Sequence, residues 1–343
     1  MGQSDGDNAM RVNKYVGAIL AAGRGSRMQP FSERYPKPLL PVCNRPLIAH
    51  QIDVMRSLGI REVFVLVGHK GYEIAGALGD GSQFGVRIKY VEQVQMLGIG
   101  HAVGLLEQHI TDPFLLMLGD IYFVPKRLEA MREVFEQQEG GGVLGTKEEH
   151  DPEAIQRNFA ILLREDGLVS RVVEKPRHAP NHLKGVGIYL FDPVVFDAIR
   201  RTPRTALRDE YELTDAIQVM IDDGHPVRPA NVVSQDINLT TPADLLRVNL
   251  LHAMQFDPAS AIGSNVQLHP MARLENSVVG SNVNVRNPIV ISHSLIFDET
   301  TVTVDASVDR LILTPHGNVD CRSDVAMPQI AAGLRTFHAA QHG

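Results

Sequence analysis

One early segment of the chain combines glycines and cations at a spacing suited to phosphate. A buried strand predicted over residues 16–20 leads into a loop that holds Gly25, Ser26 and Arg27, and Lys37 lies ten residues beyond the arginine. Glycine has no Cβ, so several backbone N–H groups of such a loop can turn toward one anion, and the cations add positive charge. The spacing matches neither the dinucleotide fingerprint nor the Walker loop. The residues alone therefore allow a phosphate site and a plain strand-to-helix turn equally.

Two aspartates follow strands that are predicted farther along the chain. Asp120 comes just after a short apolar segment over 114–118, and Asp236 comes just after another over 226–233. In open α/β sheets, ligands bind beyond the carboxyl ends of the strands, so we expect Asp120 to face the same crevice as the loop after residue 20. Either aspartate alone could also be an ordinary turn or loop residue.

The elements that position these residues alternate between strand and helix. The first half predicts strands at 16–20, 62–67, 86–91 and 114–118, with helices at 46–57, 72–78 and 98–109. This alternation is typical of an α/β domain with a parallel sheet. From about Gly141 the predicted strands are shorter, at 142–146, 160–163, 169–173 and 186–191, and helices begin near 209–215 and at Thr241.

Beyond Pro258 nine positions stand six residues apart, and seven of the nine are apolar. The series is Val266, Ala272, Val278, Asn284, Val290, Ile296, Val302, Val308 and Thr314. Six-residue spacing is typical of a β-helix in which each side of a triangular coil takes one hexapeptide. About three coils fit between 261 and 315, which predicts a short β-helix module over 259–330 and a tail over 331–343.

Composition restricts the class of function. The chain has 343 residues, with 33 basic and 40 acidic ones and a net charge of −7, and it contains no basic stripe, so nucleic acid is an unexpected partner. Cys43 and Cys321 cannot build a disulfide framework or a Cys-rich zinc site, and we expect a reducing cytoplasm. No apolar run reaches the ~18 residues of a membrane helix, so we expect no membrane partner. Residues 1–13 are expected to form a flexible tail without a targeting signal.

The longer motifs resemble one family. Leu-Ala-Ala-Gly-x-Gly-x-Arg from Leu20, Pro-Lys-Pro-Leu-x-Pro-Val from Pro36, and Arg-Pro-Leu-Ile from Arg45 are similar to the opening of the sugar-1-phosphate nucleotidylyltransferases. The resemblance implies a Rossmann-like mixed-sheet nucleotidyltransferase domain, over 14–256, followed by the short hexapeptide-repeat β-helix of the left-handed type. It also implies an enzyme that joins an NTP to a sugar-1-phosphate and releases pyrophosphate.

The resemblance assigns roles residue by residue. Arg27 and Lys37 would be catalytic, and Asp120 and Asp236 would hold Mg²⁺, which suits a site with few carboxylates and substrate phosphates. Nucleotide binding would fall to Leu20, Ala21, Ala22, Gly23, Gly25, Ser26, Gln93, Gly98 and Ile99. Sugar-phosphate binding would fall to Glu174, Lys175, Val186, Gly187 and Tyr189. Gln93 and the segment Glu210 to Asp215 look closest to glucose-1-phosphate thymidylyl- or uridylyltransferases, which favours dTTP or UTP and glucose-1-phosphate.

Several alternatives stay open. Many members have Tyr-Gly-Val where this chain has Asn158-Phe159-Ala160, so the sugar contact can differ. The same loops occur in ADP-, CDP- and GDP-forming members that act on other sugar or cyclitol phosphates, and in regulatory subunits that bind nucleotide sugars without turnover. The β-helix could also be an acyltransferase, but His269, His293 and His316 are scattered, which favours a module for homo-oligomerisation or for bracing the catalytic domain.

Overall fold

The computed structural model describes residues 15–206, 208–255, 261–323 and 336–337. The predicted tails over 1–13 and 331–343 lie outside these residues, except for 336–337. The chain divides into two compact units, one of residues up to 24 with 51–236, the other of 25–50 with the residues from 237 onward. The second unit thus groups the segment 25–50 with the β-helix region. The boundaries predicted from sequence, 14–256 and 259–330, stay a prediction.

Helices and strands are interspersed through the first three quarters of the chain. The helices are α1 (Leu47–Ser57), α2 (Gly71–Leu78), α3 (Ile99–Gly104), α4 (Glu129–Gln137), α5 (Pro152–Gln156), α6 (Val194–Arg201), α7 (Leu213–Asp222) and α8 (Pro242–Gln255). The strands are β1 (Val16–Ala21), β2 (Pro41–Val42), β3 (Arg45–Pro46), β4 (Glu62–Val67), β5 (Arg87–Glu92), β6 (Phe114–Leu118), β7 (Ile121–Pro125), β8 (Gly142–Glu148), β9 (Phe159–Leu163), β10 (Val169–Glu174), β11 (Leu183–Phe191), β12 (Val227–Asn231) and β13 (Val233–Asn238). Among the described residues, each helix is too short or too polar to span a bilayer.

The central sheet of the first unit is mixed, as the resemblance implied. Its strands run in the order β10-β9-β11-β6-β1-β4-β5, and β8 pairs with both β11 and β12. β6, β1, β4 and β5 are parallel neighbours, while β11 is antiparallel to β6. Continuous apolar sequences such as Val63 to Val67 fit this centre because strands covered on both faces need apolar residues throughout. The carboxyl ends of β1 and β6 consequently lie side by side.

Two predicted elements differ from the observed ones. The helix predicted over 98–109 ends at Gly104, where the backbone changes to three-residue turns such as Leu106 N to Val103 O. The single strand predicted over 226–233 is two strands. At Val232 the chain leaves β8 and joins β7, because its N–H bonds to Thr146 and its carbonyl accepts from Lys126. Asp236 therefore lies within strand β13 rather than in a loop.

The β-helix of the second unit is confirmed by short parallel strands. They are β14 (Gln267–Leu268), β15 (Arg273–Glu275), β16 (Val278–Val279), β17 (Asn284–Val285), β18 (Val290–Ser292), β19 (Leu295–Ile296), β20 (Thr301–Val302), β21 (Val308–Asp309), β22 (Leu311–Thr314), β23 (Gly317–Asp320) and β24 (Thr336–Phe337). Strands of successive coils pair in three parallel stacks, to which β23 and β24 add antiparallel. Asn265 Nδ2 donates a hydrogen bond to Asn282 Oδ1, and the Ser281 N–H donates one to Asp298 Oδ1. In each pair the two residues are 17 positions apart in the chain.

One coil is thus one residue shorter than three hexapeptides. The inward stacks are Ile262, Val279, Ile296 and Leu313, then Leu268, Val285 and Val302, then Leu274, Ile291 and Val308. The spacing along the chain is therefore six, six and five. The predicted uniform series matches the stacks only at Ile296, Val302 and Val308, because the five-residue side shifts the phase once in each coil.

Candidate active site

The end of β1 fixes the turn that carries Asp120. The Gly119 N–H donates to the carbonyl of Leu20 at 2.9 Å, so the residue before Asp120 is bonded to the strand that precedes the glycine loop. Ala21 and Ala22 are buried, and Gly23 is exposed. This part of the predicted nucleotide site is thus backbone at the carboxyl end of the central strand β1, where Ala21 and Ala22 are small buried residues.

A buried glutamine supports the same turn. Gln51 Nε2 donates to the carbonyls of Leu118 and Ile121, both at 2.8 Å, on the two sides of the Gly119-Asp120 turn. Gln51 is 2% exposed. Two charge-free hydrogen bonds to the flanking residues restrict the turn, so Asp120 is held in position. Sequence reasoning missed Gln51, whose only signal is a polar residue on the apolar face of α1.

Gln93 is brought together with His101. Gln93 directly follows β5, is 5% exposed, and its Nε2 lies 3.1 Å from His101 Nδ1. Burial lowers the pKa of the His101 imidazole below its usual range. The ring is therefore neutral near pH 7, and Nδ1 can accept the hydrogen bond from the amide when Nε2 carries the proton. The amide of Gln93 is held in one orientation by this bond.

The turn at Gly98 and Ile99 is hydrogen-bonded to the segment before α7. Gly100 N–H donates to the Tyr211 carbonyl at 2.7 Å, and Tyr211 N–H donates to the Leu97 carbonyl at 2.7 Å. The Tyr211 ring also stacks on His101, with centroids 6.3 Å apart. The predicted base-binding turn and the Glu210 to Asp215 motif are thus one hydrogen-bonded assembly.

Asp236 lies in a cluster of four charged side chains. Lys184 Nζ is 2.8 Å from both carboxylate oxygens of Asp236, and Lys147 Nζ is 3.6 Å from one of them. Glu149 completes the cluster at 2.8 Å from Lys147 and 3.8 Å from Lys184. The side chains of Lys184 and Asp236 are 4% and 1% exposed. Two charges of each sign therefore balance each other.

The pKa of Glu149 reflects this balance. Burial alone would raise it, but the hydrogen bonds from Lys147 and from the Asp151 backbone lower it below the usual range. Glu149 is thus ionised near pH 7. Sequence reasoning missed both lysines and Glu149; the available signal was Lys184, a charged residue inside the apolar strand Leu183–Phe191.

The donor types of Asp120 and Asp236 fit Mg²⁺. Both offer carboxylate oxygens, and magnesium is often held by one or two carboxylates together with substrate phosphates. A carboxylate oxygen has more than one lone pair, so the contacts from Lys184 do not exhaust the capacity of Asp236. Among the described residues, no group of three or more His, Cys, Asp or Glu side chains could hold an ion without a substrate.

Glu174 and Lys175 stand at the end of β10 beside Arg208. The Glu174 carboxylate is 3.3 Å from Lys175 Nζ and 3.6 Å from Arg208, which also binds Glu212 at 2.6 Å. Burial, the largest effect, raises the pKa of Glu174 above its usual range in spite of the two cations. Lys175 has φ +43°, a backbone state that side chains rarely adopt and that often occurs at functional sites.

Phe159, in the segment Asn158-Phe159-Ala160 that departs from the family pattern, is a core residue. The Phe159 ring is buried and stacks on Tyr189, with centroids 6.0 Å apart. A Cβ at Gly185 would lie 1.8 Å from this ring, so the position of the Phe159 ring requires glycine at 185. Val186 is fully buried, and burial raises the pKa of the Tyr189 phenol above its usual range. The side chains of Val186 and Tyr189 are core groups, which leaves the backbone, including Gly187 at φ +76°, for a ligand.

The cations of the glycine loop belong to the second unit. Gly25 has φ +64°, which favours glycine, and precedes a single 3-10 turn of Ser26, Arg27 and Met28. Ser26 and Arg27 are exposed, whereas Met28 is fully buried and anchors the turn. Lys37 begins the third 3-10 turn of this segment, after the one at Phe31–Glu33, and is half-buried. The loop thus presents polar side chains from a backbone that is fixed by buried apolar residues.

A family model described as nucleotidyl transferase matches residues 16–235. The low-salt glycan biosynthesis nucleotidyltransferase Agl11 of Haloferax volcanii is 36% identical over 238 residues, which are 68% of this chain and 65% of Agl11. The glucose-1-phosphate thymidylyltransferase of Streptomyces griseus is 32% identical over 80% of this chain and 76% of that protein. The matched region spans only about two thirds to three quarters of these relatives.

Solved structures agree with the fold. A glucose-1-phosphate thymidylyltransferase of Bacillus anthracis in complex with sucrose aligns with a TM-score of 0.62 and 29% identity, over 69% of this chain and 94% of that one. A UDP-glucose pyrophosphorylase complexed with UDP-glucose aligns with a TM-score of 0.61 at 21% identity, which supports the fold alone. The chain therefore belongs to the nucleotidyl transferase family, the enzyme family that its motifs resemble.

Proposed function

We propose that the protein joins dTTP or UTP to glucose-1-phosphate and yields the NDP-sugar and pyrophosphate. The observation that carries the choice of a pyrimidine is the buried Gln93 amide, oriented by His101 at the end of β5. A carboxamide offers an acceptor and a donor side by side, which matches N3–H and a neighbouring carbonyl of uracil or thymine. The similarity to the thymidylyltransferase of Streptomyces griseus supports the same choice.

In the proposed reaction, an oxygen of the sugar phosphate attacks the α-phosphorus of the NTP in line. The bond from that phosphorus to the bridging oxygen breaks, and pyrophosphate leaves with the electron pair. Because the nucleophile is already an anion, no general base is required, and catalysis consists of positioning and charge neutralisation. Arg27 and Lys37 would bind the phosphates of the NTP, and Lys175 would bind the sugar phosphate.

Asp120 and Asp236 are the residues that we propose for Mg²⁺. When bound, the ion would offset negative charge on the phosphate oxygens. Around it, Gln51 restricts the turn of Asp120, and Lys184 restricts the rotamer of Asp236. Glu174 would accept hydrogen bonds from sugar hydroxyls, and its raised pKa leaves it ionised only when pH lies above the usual glutamate range.

Two further properties complete the proposal. We propose a cytoplasmic location, since Cys43 and Cys321 are buried and are not joined in a disulfide. The β-helix would support a homo-oligomer, and sedimentation of the full chain as a monomer at assay concentrations would contradict this.

A screen for pyrophosphate release tests the function. dTTP, UTP, ATP, CTP and GTP are each incubated with glucose-1-phosphate and a panel of other sugar-1-phosphates, with Mg²⁺ or with EDTA. We expect turnover with dTTP or UTP and glucose-1-phosphate, in Mg²⁺ only. Turnover only with a purine nucleotide or with CTP would contradict the assignment of dTTP or UTP. Absence of turnover with each pair, together with nucleotide-sugar binding, would instead identify a regulatory subunit.

A further inference from the structure

Three aromatic rings of the second unit join the glycine loop to the β-helix. The Phe31 ring stacks on Phe297 with centroids 5.3 Å apart and planes 15° apart, and Tyr35 packs on Phe297 at 5.8 Å. Phe31 and Phe297 are 3% and 5% exposed. Phe297 directly follows β19, so this contact ties residues early in the chain to a coil near its other end.

The two loop rings lie between the two cations that we assign to phosphate binding. Phe31 comes four residues after Arg27, and Tyr35 comes two residues before Lys37. The Tyr35 N–H donates to the Phe31 carbonyl at 2.8 Å, so the two residues form one closed turn. A movement of this turn against the β-helix would displace Arg27 and Lys37 together.

The β-helix does not require an aromatic residue at position 297 for its own packing. The inward residue of this side is Ile296, which stacks between Val279 and Leu313. Position 297 points the other way, and with a coil of 17 residues its counterparts are Gly280 and Thr314. Phe297 is thus the large residue of its row. It lies outside the inward-facing core cluster, and its ring packs on Phe31 and Tyr35.

Hydrogen bonds between uncharged groups attach the other end of this loop, at residues 41–44. Asn44 Nδ2 donates to the Val279 carbonyl at 3.0 Å. Asn249 of α8 accepts from Cys43 N–H and donates to the Pro41 carbonyl, both at 2.8 Å. The loop is therefore attached at its Phe31 end by rings and at its Asn44 end by amides.

We propose that Phe297 is a positioning residue through which the β-helix sets the place of Arg27 and Lys37 on the NTP phosphates. The inference rests on the proposed function, since it assigns the β-helix a part in the same reaction. A displacement of about 1 Å in a positioning group can cost up to about 100-fold in rate, so loss of one buried ring is sufficient to affect turnover.

Kinetics of three variants test the role. We expect Phe297→Ala to lower kcat/KM for the NTP about 10- to 100-fold while KM for the sugar phosphate stays within about twofold. Phe297→Tyr keeps the ring and should retain the wild-type constants. Ile291→Ala is the matched control, because it removes a fully buried residue of the same β-helix that faces the core. It should lower Tm as Phe297→Ala does and leave the kinetic constants unchanged below its Tm.

Unchanged NTP kinetics in Phe297→Ala would overturn the inference. So would an equal loss in Ile291→Ala, because the effect would then come from β-helix stability in general. Both comparisons require a wild type that releases pyrophosphate. If the wild type releases none, the proposed function fails, and a binding measurement decides the inference separately.

That measurement uses tryptophan fluorescence, since the chain contains no tryptophan. Phe297→Trp places a single reporter against Phe31, and Met271→Trp places one on an exposed β-helix position. We expect dTTP, or tripolyphosphate as a probe of the phosphates alone, to shift the emission of Phe297→Trp and to leave that of Met271→Trp unchanged. Emission of Phe297→Trp that does not respond to saturating dTTP would overturn the inference whether or not the enzyme turns over.

Discussion

The carboxylate region around Asp236 and the cationic loop around Arg27 are stabilised by opposite kinds of interaction. Asp236 is held by Lys184 and Lys147 in a cluster of four charges. The loop is held by aromatic stacking and by amide hydrogen bonds that carry no charge. A buried carboxylate needs a counter-ion to remain ionised. A loop that must offer cations to a ligand can instead be fixed through its backbone and its apolar residues.

The largest expected effect is the loss of the loop cations. Arg27→Ala and Lys37→Ala should each lower kcat by about 100- to 1000-fold, the usual cost of removing a charge-stabilising group. Tm should change far less than kcat, because aromatic stacking and amide hydrogen bonds of other residues attach this loop. Pyrophosphate release and thermal unfolding measure the two quantities. Arg34 is an exposed cation of the same loop, so Arg34→Ala is the control and should change neither kcat nor Tm. Normal turnover of Lys37→Ala would contradict the assignment.

The next effect concerns the charged cluster. Lys184→Met leaves Asp236 buried beside only the more distant Lys147, and breaking a buried pair typically costs about 3–5 kcal/mol. Urea unfolding should therefore show a marked loss of stability. The double variant Lys184→Met with Asp236→Leu should recover much of it, since no unpaired charge remains. If Lys184→Met alone unfolds like the wild type, the cluster does not hold Asp236 through charge.

A smaller loss is expected on the uncharged side of the comparison. Asn249→Ala removes the amide that accepts from the Cys43 N–H and donates to the Pro41 carbonyl, so both backbone groups lose this hydrogen bond. The free energy of unfolding should fall by about 1–3 kcal/mol. The loss should be the same at low and high salt, because no charge is involved. A clear salt dependence of the difference from wild type, measured by urea unfolding, would show that the contribution of Asn249 is not that of uncharged hydrogen bonds.

The smallest effect is a pH dependence at Glu174. Burial raises the pKa of this carboxylate in the folded protein, so ionisation costs stability as pH rises through the folded pKa. Glu174→Gln should therefore be slightly more stable than wild type near pH 7, and the difference should vanish below about pH 4, under the unfolded pKa of a glutamate. Thermal unfolding across pH measures this. Exposed Glu165→Gln should show no such trend.

The sequence predicted local elements well where a buried strand leaves a continuous apolar pattern. Glu62–Val67 and Phe114–Leu118 have the predicted bounds, because parallel central strands are apolar on both faces. The break at Val232 was not predictable in this way. Both β12 and β13 are apolar in part, and the change of partner from β8 to β7 is a tertiary event that leaves no local signal.

The candidate site shows the same division. Arg27, Lys37 and Asp120 were chosen because the motifs that carry them resemble those of the family, since glycine and proline spacing alone left each of them open. Their supports could not, because Gln51, Lys184 and Phe297 are distant in sequence from what they hold. The roles of Val186 and Tyr189 were also chosen by position, and only the packing of the Phe159 and Tyr189 rings shows which atoms remain for a ligand.

The 17-residue coil also limits how this module can change in length. An insertion or deletion of 17 residues after Phe297 would keep each inward stack and the Asn265 to Asn282 ladder in phase. An insertion or deletion of six or eighteen residues would instead move the residues that follow it out of register with the inward stacks. Relatives with longer or shorter β-helices of this type should therefore differ by whole coils of 17 residues. The aromatic residue that packs on the glycine loop, here Phe297, should stay at the same position of its coil.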